Sequence, residues 1–284
     1  MNSETLVGRV VHPTNRHYAT GIHNNETAQA AGFRGGTIAG SAHLDTLVPL
    51  ALALFGEDWF RSGSLSLTFR FATTDGEPTY ASIDKVGEHG QHTARIETPE
   101  GVLVGVGTVG APGALGPTHL FSDALQNDSS KVRILRSVSA GDPIGPATDM
   151  IDGKSVHRRS ADGLITEPVA WYSRNDAPSS PWGAQIVPPS AVIDSVNRVV
   201  SDQLAQTLPP AVGMWSALEV RFLNGPVVAD IPHRIEGSVA AIGESPKTEI
   251  IWQDCTMYNG AIPIASVRIQ SRFVKSTSDL WSAD

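Results

Sequence analysis

Between residues 20 and 45 the chain gathers the residue types that move protons and hold a negative oxygen. The run Thr20-Gly21-Ile22-His23-Asn24-Asn25-Glu26 leads to Gly32-Phe33-Arg34-Gly35-Gly36, and then to Gly40-Ser41-Ala42-His43-Leu44-Asp45. An imidazole titrates close to neutrality and can give or take a proton there. His23 stands just upstream of a glycine-rich turn and a helix start, where backbone N–H groups without intrahelical acceptors can hold an anionic oxygen. That combination suits acid–base chemistry with His23 as the proton carrier. Plainer readings stay open beside it. His23 could support a turn, and Gly36 and Gly40 could serve close packing. Asn24 and Asn25 could orient His23 or a water, or stabilise the turn through their own backbone bonds. Glu26 could act as the carboxylate of the site, or be a charge in the first turn of a short helix over Ala28 to Ala31.

His43 and Asp45 fall in the first helical turn. Two residues apart on a helix, they point to different sides and cannot both face one site. His43 is a candidate for lining a pocket, whereas Asp45 is electrostatically comfortable near a helix N-terminus without any function. In the second half, Tyr172-Ser173-Arg174-Asn175-Asp176 leads to Pro181-Trp182-Gly183 in the corresponding slot. It carries no His. Asp176, Trp182 and Arg174 could shape a pocket or belong to a plain loop. The histidines show no metal-ligand spacing, and no metal is expected. No dinucleotide, phosphate-loop or Gly-x-Ser-x-Gly motif stands in the right context.

Two apolar helices must position these residues. The first is expected from about Ser41, a plausible N-cap, to Phe55, with Leu44, Leu47, Val48, Ala51 and Leu52 at helical spacing and Gly56 as its stop. The second is expected from Ser190 to about residue 206, entered through Pro188-Pro189 and stopped before Pro209-Pro210. The halves repeat with a shift of roughly 150 residues: Ser41 falls on Ser190, Asp45 on Asp194, and Leu67 to Phe71 on Leu218 to Phe222. Glu100-Gly101 and Asn259-Gly260 each open a β-rich run. Each half therefore reads as loop, helix, then three or more antiparallel strands. The expected domains are residues 1–125 and 132–284, with a linker over about 111–131. Gly141 to Gly163, with Pro143 and Pro146, is expected to be an extended loop.

The segment Thr20-Gly21, His23, Ala30-Ala31-Gly32-Phe33-Arg34-Gly35-Gly36 and Gly40 resembles the signature of MaoC-like, (R)-specific enoyl-CoA hydratases. The chain departs from it in one place: no Asp follows Gly21, and the Asp-x-Asn-Pro segment is missing. The resemblance implies an α+β double hotdog, with two long central helices packed against an extended antiparallel sheet. It also implies a lyase that hydrates a 2-enoyl thioester or dehydrates a 3-hydroxyacyl thioester or related polyketide-type substrate. His23 would be the acid/base and the Gly40 N–H the donor to the thioester oxygen. No cofactor would be needed beyond CoA or a carrier protein as the substrate's handle. Arg34 follows Gly32-Phe33, close in sequence to the site entrance, and is expected to meet an anion on that handle. The alternatives are a hotdog thioesterase, in which Glu26 or Asp45 would matter more, and a non-catalytic acyl-binding double hotdog.

Bulk properties fall within the range of a soluble globular protein. The chain has 284 residues, 40% of them hydrophobic and 18% charged, and a net charge of −8. That balance argues against nucleic acid as a partner. No apolar run approaches the ~20 residues that span a bilayer, and no signal-peptide pattern stands at the start. No membrane partner and a cytoplasmic location are expected, with self-association as a homo-oligomer left open. A single cysteine, Cys255, excludes an internal disulfide.

Overall fold

The computed structural model describes residues 4–15, 20–114, 118, 120, 125, 127–167, 169–174 and 180–281. The first half opens with strand β1 (Thr5–Val7) and helix α1 (Asn25–Ala30). The apolar stretch expected as one helix forms two, α2 (Gly40–Asp45) and α3 (Val48–Phe55). Pro49 explains the break. It has no N–H to donate, and its ring collides with the carbonyl four residues back, that of Asp45. Ser41 is not the N-cap: Ala39 holds that place and Gly40 is the first helical residue. Gly56 ends α3 with φ 66°, the left-handed region glycine enters without strain. A short helix α4 (Trp59–Ser62) leads into β2 (Ser64–Phe69), β3 (Tyr80–Asp84), β4 (Gln91–Glu97) and β5 (Leu103–Gly110).

The second half comprises β6 (Pro143–Met150), α5 (Gly153–Ala161), α6 (Pro189–Leu204), β7 (Gly213–Phe222), β8 (Pro232–Glu244), β9 (Thr248–Asn259) and β10 (Ile262–Val274). The extended loop expected over Gly141 to Gly163 is thus replaced by a strand and a helix. β6 is the outermost strand, where Pro143 and Pro146 are tolerated because an edge need not donate along its whole length.

Among the described residues ten strands form one antiparallel sheet in the order β1-β3-β4-β5-β2-β7-β10-β9-β8-β6. The halves meet at β2 and β7, where Leu65 pairs with Val220 and Leu67 with Leu218. This join hides two strand edges that would otherwise recruit other chains. Gly101 (φ 85°) and Gly260 (φ 60°) lie in the turns between β4 and β5 and between β9 and β10. α2 packs beside α6 over this sheet. Leu44, Leu47, Val48, Leu65, Leu67, Val192, Ile193, Val196, Leu218 and Val220 are completely buried in a single core. Each such side chain contributes roughly 1.5–3 kcal/mol.

The repeat persists in the backbone bonds of the loops before the two helices. Thr37 N–H donates to the Ile22 carbonyl (2.9 Å), and Ile186 N–H to that of Trp171 (3.1 Å). Ile38 N–H donates to Thr73 (2.9 Å), and Val187 N–H to Val227 (3.0 Å). By this correspondence Tyr172 occupies in the second half the place of His23 in the first.

On the face of β7 away from the helices, the Thr118 hydroxyl donates to Glu219, and Arg268 Nη1 donates to the Leu120 carbonyl (3.0 Å). Thr118 and Leu120 therefore lie against this face. Burial pushes the Glu219 carboxyl up to about 7. Cys255 is buried in β9 and its thiol is pushed up to about 12, first by burial and then by Asp254, which makes it a poor nucleophile. Among the described residues no helix is long and apolar enough to cross a membrane.

Candidate functional site

A cavity of about 840 Å³ opens between the two halves. One wall is the loop carrying His23, the start of α2 at Gly40 and His43, and the chain leaving β2 at Phe69 to Thr73. The other is the outer part of α6 with neighbouring ends of β7 and β10. Ile22, Phe33, Phe69, Phe71, Val200 and Leu204 give it a largely apolar lining.

His23 ends a single helical turn (Gly21–His23) made possible by Gly21 at φ 60°. Its Nδ1 lies 2.8 Å from the Thr37 carbonyl oxygen. A carbonyl only accepts, so Nδ1 carries the proton and Nε2 is the basic nitrogen of the neutral ring. Burial holds the imidazole below its ordinary 6.5; the Thr37 carbonyl and the charge of Asp194 pull the other way without cancelling it. At neutral pH His23 is therefore mostly in its base form.

Gly40 and His43 reach the same cavity. As the first residue of α2, Gly40 has an N–H with no intrahelical acceptor. Its missing side chain also makes room for the Phe69 ring, because a Cβ there would lie 2.7 Å from Phe69 Cε2. His43 is buried, and its Nε2 lies 3.1 Å from Thr73 Oγ1. Burial pushes it down to about 4, so it is a neutral wall residue at pH 7 and not a proton carrier.

The structure gives the other expected residues different tasks. Asn24 is the N-cap of α1, accepting from Glu26 N–H (2.9 Å) and Thr27 N–H (3.2 Å). Asn25 Oδ1 accepts from Gly36 N–H (2.8 Å), so that N–H is already committed. A Cβ at Gly36 would stand 2.4 Å from the His23 carbonyl oxygen, and this close approach is what glycine serves there. Glu26 is exposed in the first turn of α1 and does not line the cavity, contrary to a catalytic carboxylate. Arg34, expected to meet a substrate anion, is tied to Glu77 (2.8 Å), donates to the Ala72 carbonyl (3.0 Å) and stacks 4.4 Å from the Phe71 ring. It braces the cavity wall from outside. Arg34→Ala is expected to cost no more than about 1 kcal/mol in a denaturant melt, as for other exposed ion pairs, with KM for a thioester unchanged. A several-fold rise in KM would return it to the entrance. Asp176 lies outside the described residues.

Trp182 is not in this cavity. It packs in a cluster with Trp171 (ring centroids 5.2 Å apart) and Phe60 (5.8 Å), which also meets Tyr172 (6.4 Å) and Phe222 (5.5 Å). By the repeat, Ile22, His23 and Phe33 of the cavity correspond to Trp171, Tyr172 and Trp182. Larger rings stand at these places in the second half, and Tyr172 among them is sealed from solvent. Tyr172 is buried, and burial, reinforced by Asp45, holds its hydroxyl well above 10. It keeps its proton near neutrality and cannot exchange one there.

Beneath the cavity the repeated Ser and Asp positions pair crosswise. Ser41 Oγ donates to Asp194 (3.0 Å), while Ser190 N–H (2.9 Å) and Oγ (2.6 Å) donate to Asp45. Each helix start is thus held by the carboxylate of the other helix. Arg159 of α5 joins through Asp194 (2.7 Å). The Ser and Asp recurrence is visible in the sequence but their partners are not, and Arg159 lies in the stretch that reads there as a loop. Among the described residues no three His, Cys, Asp or Glu side chains converge as a metal site requires.

No protein-family model matches the sequence, and no curated protein matches it. Solved structures do. A MaoC domain dehydratase from Chloroflexus aurantiacus J-10-fl aligns with a TM-score of 0.64 at 10% identity, covering 95% of this chain and 94% of that one. A MaoC-like dehydratase aligns with 0.58 at 12% identity over 94% and 97% of the two chains. A conserved double-hotdog protein from Mycobacterium tuberculosis aligns with 0.57 at 11% identity over 95% and 96%. At such identities the likeness establishes the fold, and the chain is a double hotdog.

Proposed function

We propose that the chain is a lyase of the MaoC-like kind, which adds water to a 2-enoyl thioester or removes it from a 3-hydroxyacyl thioester. The observation that carries this reading is the shared cavity: His23 in its base form and the start of α2 at Gly40 line one largely apolar space between two hotdogs. In the dehydrating direction His23 Nε2 takes the proton from the carbon next to the thioester carbonyl. Charge then gathers on the carbonyl oxygen, where the Gly40 N–H stabilises it. The imidazolium returns the proton to the β-hydroxyl, which leaves as water, and the enoyl thioester and neutral His23 remain. Hydration runs the same path backwards. The thioester supplies the acidity of the α-carbon. His43 and the aromatic walls exclude water and hold the acyl chain.

The thioesterase reading relied on Glu26 or Asp45, one exposed outside the cavity and the other engaged with Ser190. A filled or closed interface would have favoured a non-catalytic scaffold, whereas the open cavity beside His23 supports a site that takes a substrate. The test is incubation with a panel of enoyl and 3-hydroxyacyl thioesters on CoA and on pantetheine, followed by loss or gain of the conjugated absorbance and by mass. A change of 18 mass units (one water) is expected for at least one pair. Release of free thiol with no such change would instead indicate a thioesterase, and no turnover across the panel would leave an acyl binder.

A further inference from the structure

The cavity that holds His23 carries fixed charge of one sign. Among the described residues the cavity is lined by two arginines, Arg70 and Arg272, and by no Asp or Glu. This is unexpected in a chain with 29 acidic and 21 basic residues. Several of its other arginines find carboxylates: Arg34 pairs with Glu77, Arg95 with Asp84, Arg159 with Asp194 and Arg268 with Asp254. Arg272, in β10, has neutral acceptors instead. Its Nε donates to Ser216 Oγ (2.9 Å) and Gln270 Oε1 (3.3 Å), and its Nη1 to Thr248 Oγ1 (3.3 Å). Arg70 follows β2 on the other half, is exposed, and makes no ion pair among the described residues.

We infer that Arg70 and Arg272 form a subsite for a substrate oxyanion, a phosphate or a carboxylate, within the same cavity as His23. Two guanidiniums facing one partly apolar space repel each other unless an anion sits between them, and a planar fork of donors suits the oxygens of either group. Burial and the charge of Arg70 both disfavour the cation at Arg272, so the pair is in electrostatic contact before any ligand arrives. Neutral acceptors on Arg272 aim the guanidinium without neutralising it. One residue from each half contributes, so the subsite exists only because the two hotdogs are joined. On the acyl-thioester reading, on which the source of the anion rests, it belongs either to the phosphate of the pantetheine handle or to a carboxylate at the far end of the acyl group.

The experiment is calorimetric titration of the full chain with three probes: pantetheine, which has no anion; 4′-phosphopantetheine; and S-succinylpantetheine, which has a carboxylate and no phosphate. At least one anionic probe should bind about tenfold or more tightly than pantetheine, the scale of a charge-assisted contact, and its affinity should fall with salt. Arg272→Gln should remove that preference and Arg70→Gln should reduce it, while Arg272→Lys should restore part of it. The probe that carries the preference identifies the source. Equal affinities for all three probes, or a preference that survives both glutamine variants, would overturn the subsite. If Arg272→Gln fails to fold, the exposed Arg70→Gln still decides the matter. No turnover is read, so a failed thioester panel would sink the lyase reading and leave this one standing.

Discussion

His23→Ala is expected to lower turnover of an enoyl or 3-hydroxyacyl thioester by roughly 10²–10⁴, the usual worth of one general acid–base group. The loop supplies no second carboxylate: no Asp follows Gly21, and Glu26 is outside the cavity. One imidazole must both take and return the proton. The fold should survive, because His23 belongs to a single helical turn and not to the core. His23→Asn can still donate to the Thr37 carbonyl but cannot exchange a proton, and it should be almost as poor as alanine. The wild-type kcat/KM profile should lose activity as pH falls through a value below 6.5, because burial of His23 favours the neutral ring. Asp194 opposes that shift, so Asp194→Asn should move the acid limb lower still. Wild-type turnover in both His23 variants would end the proposal for this residue.

The second large effect is on stability. Asp45 is completely buried between the helices, where its carboxylate receives the N–H and hydroxyl of Ser190 at the first turn of α6. Asp45→Ala removes a cap and leaves two buried donors without an acceptor, and should cost about 2–4 kcal/mol in a denaturant melt at neutral pH. Asp45→Asn keeps the shape and can still bond Ser190, so its cost should be much smaller. It should also change the pH dependence. Burial pushes Asp45 from 3.8 up to about 7. Between those values the folded chain holds a proton that the unfolded chain has lost, so this group's contribution is full below about 4 and declines as pH rises toward 7. Glu219 acts in the same direction, and His43, pushed down to about 4, acts in the opposite one. Melts at pH 4.5 and 7.5 should therefore show a shallower decline toward neutral pH for Asp45→Asn than for wild type. An identical slope would mean that Asp45 does not hold the extra proton.

Much of the architecture was legible locally. Helical spacing marked α3 and α6, Gly56 marked the end of the first apolar helix, and Asn259-Gly260 marked the last hairpin, because each is written in a few adjacent residues whose backbone preferences act at short range. The repeat of Ser41 and Asp45 in Ser190 and Asp194 went further and announced two related halves. What misled were local signals overruled by position. Pro143 and Pro146 disguised β6 because only its place at the sheet edge makes them acceptable. Pro49 broke a helix whose apolar pattern ran straight through it. The placement of chemistry was decided by tertiary structure. Arg34, close to His23 in sequence, is drawn off by Glu77, while Arg70 and Arg272 come from opposite halves to one cavity. Sequence repetition showed that the Ser and Asp positions correspond, yet only the join of β2 to β7 makes them pair crosswise and leaves Tyr172 sealed where His23 is open. A sequence records each half separately; which side chains meet across the join is decided only when β2 and β7 pair and bring the two helices side by side.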